Sequence, residues 1–257
     1  MIRKMVFQMR FPLLIAYIAG VLCYFVNIII VSNTVAISHP IQTWVFSSEL
    51  FGFVYPLFCS LPFGWIFYYE CKNGYLKFVH TRMPLKKYVF CRYLSGAIMT
   101  FLLLAFISLS ALLISLFIIE PRVLMERLNY INGNPFAEFQ IINPLAYGLL
   151  LSLWRGIIGT AFFTLTFMLS LISKHLLIIL TGAFVYSILE NFITAVIGLP
   201  VFSICTSFDP ERIDFNYFNY NPVVALLVGP SVLFVVNLAV FVYYKWSKRK
   251  EDETDLL

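Results

Sequence analysis

Residues 93–119 read YLSGAIMTFLLLAFISLSALLISLFII, preceded by Arg92 and followed by Glu120-Pro121, with no charged group between. Crossing a hydrocarbon core of about 30 Å takes roughly 20 residues of helix, so this stretch is long enough to span a bilayer. Outward from it, the uncharged runs 11–48, 50–69 and 215–244 meet the same length. A pass along the chain predicts six spans, at about 11–32, 47–69, 93–118, 146–173, 176–199 and 223–244. The expected fold class is all-α, a polytopic membrane protein built as a single domain over 1–257.

Composition agrees. Hydrophobic residues make up 61% and charged residues 12%, whereas charged residues are about a quarter of an ordinary soluble chain. The formal net charge of +5 is accounted for by orientation in a bilayer rather than by nucleic acid, which is not an expected partner. The basic start with Arg3, Lys4 and Arg10 resembles a secretory signal, but the apolar run from Phe11 to about Val31 is too long and lacks a small-residue cleavage site. It reads as an uncleaved first span behind a short basic amphipathic lead-in.

Six crossings put both termini on one side. On that side fall 14 of the 18 Lys and Arg: the three before the first span, Lys72, Lys77, Arg82, Lys86, Lys87 and Arg92, then Lys174, and Lys245, Lys248, Arg249 and Lys250 in the tail. The positive-inside rule makes this face cytoplasmic. Arg122, Arg127 and Arg212 fall outside, among several carboxylates, and Arg155 falls within a span. The expected location is the cell membrane, multi-pass, as in a bacterial plasma membrane.

Between spans 3 and 4, Asn132-Gly133-Asn134-Pro135 signals a turn. Between spans 5 and 6, Phe215, Tyr217, Phe218 and Tyr220 alternate with Asn216, Asn219 and Asn221; such rings favour the membrane–water interface. Segment 198–222 therefore reads as a loop lying on or dipping into the outer leaflet. The tail is expected to be a basic stop followed by a disordered acidic end. The cysteines, Cys23, Cys59, Cys71, Cys91 and Cys205, lack metal-ligand spacing and read as small apolar packing residues, with no metal site expected.

Between spans 2 and 3 the chain reads YECKNGYLKFVHTRMPLKKY over 69–88. Leu76, Val79 and Met83 give a short helix one apolar stripe beside basic neighbours. Pro84 suits the first turn of a new helix leading into span 3. The predicted product is a short helix across the cytoplasmic mouth.

This segment resembles that of ABC-transporter permeases of the type 2 exporter family, in which an acidic residue, a Gly four positions on and a Pro about ten further on precede a basic, aromatic run into the third span. Here those positions are Glu70, Gly74 and Pro84, followed by Lys86, Lys87 and Tyr88. The resemblance implies six spans with both ends inside and a coupling helix over 70–92. That segment would dock on a separate ATPase through Glu70, Lys72, Asn73, Gly74, Leu76, Lys77, Val79, Arg82, Met83, Pro84, Lys86 and Lys87. It also implies a second permease copy or paralogue as partner, alongside membrane lipids. No GxxxxGK[ST] sequence occurs; the chain is expected to bind no cofactor and to have no catalytic residues, with ATP and Mg on the partner ATPase. The aromatic, apolar spans favour an amphipathic or hydrophobic cargo, such as a peptide, a peptide antibiotic or toxin, or a lipid, moved out of the cell.

The charged groups inside spans are Arg155 and Glu190. Such groups are costly at the bilayer centre and face the protein interior or a cavity. Counting back from the turn at 174–175 puts the two about 6 Å apart in depth. An Arg155–Glu190 pair is therefore expected, with Glu49 at the outer end of span 2 as a rival partner. Pro56 and Pro62 interrupt span 2 and are candidates for a hinge or a fixed kink. Neither HExxH nor GxSxG occurs, so an intramembrane hydrolase is not expected. The competing readings are a non-transporting membrane scaffold or sensor binding a partner through its basic loop, and a secondary transporter. The latter would be expected to show repeated halves or midplane carboxylates.

Overall fold

The computed structural model describes residues 6–7, 9–35, 39–119, 136–173, 175–210 and 222–254, and the described residues contain no strand. Six helices are long and apolar enough to cross a membrane. They are α1 (Arg10–Thr34), α2 (Pro40–Lys72), α4 (Leu85–Phe117), α6 (Pro144–Ile172), α7 (Leu176–Ile197) and α9 (Pro222–Thr254). Three short helices join them: α3 (Tyr75–His80), α5 (Ala137–Ile142) and α8 (Ile204–Phe208), the last preceded by a single 3-10 turn, Pro200–Phe202. Helices α2 and α6 are the most enclosed of the six; α1, α7 and α9 leave most of their surface open.

Each boundary has a local cause. His39 begins α2 as N-cap in a capping box, its ring accepting from the Ile41 amide while Gln42 accepts from the His39 amide. Pro40 then fills the first turn, where a missing N–H costs nothing. Gly74 follows the C-cap Asn73 with φ +68°, the left-handed conformation that stops a helix and that a side chain disfavours. Pro84 sits one position earlier than expected, as N-cap of α4 rather than within its first turn.

Close approach between spans uses small residues, as it must where lipid supplies no hydrophobic drive for helices to associate. Gly148, Ser152 and Gly156 recur every fourth residue along α6 and face α4. At Gly156 an added methyl would lie 2.8 Å from the Phe101 ring and 2.9 Å from its carbonyl oxygen. The Ser152 hydroxyl donates to Ser108 across the same contact at 3.1 Å. The main core, around Tyr24, Trp44, Phe51, Tyr55, Leu104 and Phe162, draws on α1, α2, α4 and α6. A second cluster gathers Met9, Phe63, Phe67, Phe163 and Phe167 near the end of the bundle where α2 meets α3, the end richer in Lys and Arg.

Two expectations change. Helix α9 continues through the basic run to Thr254, so Glu251–Thr254 are helical rather than disordered. A helix already nucleated extends readily through Lys, Arg and Glu. Cys71 is exposed and does not pack as a core residue, because it falls on the outer side of the last turn of α2; Cys59 and Cys205 are buried. Of segment 198–222, expected to lie on or dip into the outer leaflet, Val201 and Ser203–Asp209 are buried among the spans while Pro200 and Phe202 are exposed, in keeping with the dipping alternative rather than with a loop lying on a surface. The 132–135 turn, the 215–221 aromatic stretch, Arg3, Lys4, Arg122, Arg127, Lys174 and Arg212 lie outside the described residues, as does the Lys77 side chain.

Candidate functional site

Two constructions use the residues that the sequence singles out. The first is at the basic end. Helix α3 packs on both α2 and α4, with Val79 and Tyr88 buried together and Leu76, Met83 and Cys91 closing around them. The predicted apolar stripe thus faces inward, while Lys72, Phe78, His80, Arg82, Lys86 and Lys87 are exposed. Glu70 and Arg92 fix the frame: Oε1 of Glu70 lies 2.8 Å from Nη2 of the buried Arg92. The last turn of α2 is thereby tied to α4, with α3 packed against both. Glu70 was expected here as a docking residue; the structure gives its carboxylate an internal partner that the 70–92 spacing does not reveal.

The second construction is the chain between α7 and α9. After Gly198, whose φ of +78° ends α7, the chain turns back among the spans. Ile204 to Phe208 are all buried. Phe208 stacks on Tyr55, with ring centroids 4.2 Å apart at 13°; Tyr55 lies near the middle of α2. A short helix this deep has end groups that water cannot satisfy, and each bare polar group in a bilayer costs several kcal/mol.

Each end has a dedicated partner. At the start, Glu190 accepts from the Ile204 amide at 3.0 Å, the Ser203 hydroxyl is shared between the Asn191 side-chain oxygen at 3.1 Å and Glu190 at 3.3 Å, and Ser203 caps the Cys205 amide at 3.2 Å. At the finish, Nε of Arg155 donates to the Phe208 carbonyl at 3.2 Å and Nε1 of Trp154 to the Ser207 carbonyl at 3.0 Å. An acidic group at the amino end and a cation at the carboxyl end also complement the helix dipole. Gly229 lets α9 close over the turn: a methyl there would fall 2.7 Å from the Ser203 carbonyl oxygen.

The expected Arg155–Glu190 pair is therefore a correction. The single ion pair among the described residues is Glu70–Arg92. Arg155 instead donates to Tyr24, Ser108 and Ser48, at 3.2, 3.0 and 2.7 Å. Its guanidinium lies over the rings of Trp44 and Phe208, 4.7 and 4.8 Å from their centroids. The physical reason is the returning segment, which fills the space between the two charges and offers each an unsatisfied backbone end. Glu49, the rival partner, is exposed on α2 and takes no part. Pro56 and Pro62 are buried inside a helix that runs unbroken through both.

Sequence reasoning missed Tyr24, Ser48, Ser108, Trp154 and Ser203. The small hydroxyls inside otherwise apolar spans were the available signal, since such groups are retained where something needs an acceptor. No family model, no curated protein and no solved structure matches the chain.

Proposed function

We propose that this chain is the membrane-spanning permease subunit of an ATP-driven exporter of the type 2 ABC class, with both termini in the cytoplasm of a cell whose plasma membrane it crosses six times. The observation that carries the reading is the braced turn at 70–92: a short helix packed on two spans through Val79 and Tyr88, the spans tied by the Glu70–Arg92 ion pair, with a cationic and aromatic outer face. A lipid-binding loop needs charge but no bracing. A lever needs both a surface to be pushed and a rigid link to the spans that must move, and the ion pair supplies that link.

Two permease copies, identical or paralogous, would flank the path, and two ATPase subunits would dock beneath their 70–92 segments. ATP and Mg reside on the ATPases. Closure of the ATPases pushes α3, and α2 and α4 transmit the movement to the bundle. The cargo is amphipathic or hydrophobic, a peptide or lipid, in keeping with spans that offer few polar side chains to an aqueous solute.

The test is affinity purification of the detergent-solubilised chain from its native membrane, with mass spectrometry of the bound proteins. It is repeated with Lys72, Arg82, Lys86 and Lys87 replaced by Gln. A stoichiometric nucleotide-binding ATPase, lost in the neutralised variant, is the expected result. Absence of an ATPase from both samples would overturn the reading in favour of a scaffold or a secondary transporter.

A further inference from the structure

At the basic end of the bundle, among the rings of the second cluster, α2, α4 and α6 border a cavity of about 10 Å³, with Met9 in its wall. Every residue that lines it is buried. Most of the wall is aromatic, from Phe63, Phe67, Phe163 and Phe167. Three polar side chains share it with them: Arg92 from α4, and Thr166 and Ser170 from α6.

The ion pair with Glu70 uses Nη2 of Arg92 and leaves Nη1 over. Arg92 is 2% exposed, and Nη1 meets no acceptor among the described residues. A guanidinium keeps its protons, and a buried donor without an acceptor carries a desolvation cost that nothing offsets. The two hydroxyls have the opposite need. Thr166 donates to the Phe162 carbonyl at 3.2 Å and Ser170 to the Phe167 carbonyl at 2.6 Å. Each has committed its one proton, and each oxygen keeps lone pairs with which to accept. They stand four residues apart, on one face of α6. A donor on α4 and two acceptors on α6 thus border one small space.

Size and charge choose the occupant. One water needs about 10–15 Å³, and a buried water makes about three hydrogen bonds. The cavity has that room and those three partners. Glu70 already balances the Arg92 charge, so an anion would bring a charge with no counterpart. We propose that the cavity holds one ordered water, which accepts from Nη1 of Arg92 and donates to the hydroxyl oxygens of Thr166 and Ser170. The water carries the Glu70–Arg92 brace across to α6, so that three spans rather than two are tied at the basic end. It needs neither an ATPase nor a cargo and stands or falls separately from the transport reading.

Radiolysis detects such a water in place. A brief X-ray pulse turns a bound water into a hydroxyl radical that adds to the ring it touches, whereas a ring buried in a dry core is spared. The full chain in detergent is pulsed, digested and read by mass spectrometry for oxygen addition at single residues. Phe67 and Phe163, which line the cavity, are 2% and 3% exposed; Phe51 and Phe208, which do not, are each 1% exposed. Oxygen addition is expected at the first pair and not at the second. Thr166→Val keeps the side-chain shape and removes one acceptor, and Ser170→Ala removes the other. With both changes, labelling of the first pair should fall to the level of the second, with the helical circular dichroism intact. If the double variant misfolds, Thr166→Val alone decides, the loss of one bond lowering the label at Phe163. No oxygen addition at Phe67 and Phe163, equal addition at all four rings, or labelling unmoved by the variants would each overturn the proposal.

Discussion

Removing the Glu190 carboxylate should loosen the amino end of α8 by a predictable amount. Glu190 accepts two hydrogen bonds there, from the Ile204 amide and the Ser203 hydroxyl, and each is worth about 1 kcal/mol net. Glu190→Gln keeps one oxygen acceptor and turns the other into a donor, so one bond is lost and the opening of the segment becomes about fivefold more frequent. Glu190→Ala leaves the buried Ile204 amide without its acceptor while Ser203 keeps Asn191, costing about 2 kcal/mol, and opening becomes about 30-fold more frequent. Cys205 reads this out, because it belongs to the segment and its thiol is buried against α2 and α7, 3.8 Å from the Gly52 carbonyl and 3.9 Å from the Ser187 hydroxyl. In a Cys71→Ser background, maleimide labelling of Cys205 is followed by mass spectrometry of the peptide. The rate should rise in the order wild type, Gln, Ala by those factors, while Glu49→Gln, which alters an exposed carboxylate, should leave it unchanged. Equal rates in wild type and Glu190→Ala would refute the clamp, as would a rise of the same size in Glu49→Gln.

Gly74→Val forces a β-branched residue to φ +68° and should cost about 1–2 kcal/mol, seen as reduced recovery of an associated ATPase, whereas Gly74→Asn, which tolerates that conformation, should retain it. Gly156→Ala brings a methyl within 3 Å of the Phe101 ring and backbone and should destabilise the α4–α6 contact by about 1–3 kcal/mol; a thermal midpoint in detergent equal to that of the parent would contradict the packing. Replacing Pro56 and Pro62 by Ala should slow transport in vesicles while the ATPase still co-purifies, if α2 flexes at these positions; unchanged transport would show that they only set the shape of a static helix.

The six spans and the short helix between the second and third were legible because each is written in adjacent residues. A run such as 93–119 carries its own hydropathy, and Leu76, Val79 and Met83 carry their own period. The spacing of Glu70, Gly74 and Pro84 likewise marked where the chain must turn, and Gly74 proved to need the conformation that glycine best permits. The interior of the bundle was not written this way. Helix α8 is too short to show a period, and the serines that serve Arg155 look like any other small residues in an apolar span.

Treating Arg155 and Glu190 as a pair followed from counting depth along two antiparallel helices, and the count leaves out what lies between them. Hydropathy along the chain thus determined which segments are long and apolar enough for a bilayer, because burying backbone and side chains in lipid is a property of each segment alone. The tertiary structure decided where the charges go, because a buried ion takes whichever unsatisfied group is nearest in space. For Arg155 and Glu190 those groups are the two ends of a five-residue helix that packs deep only when α2, α6, α7 and α9 enclose it.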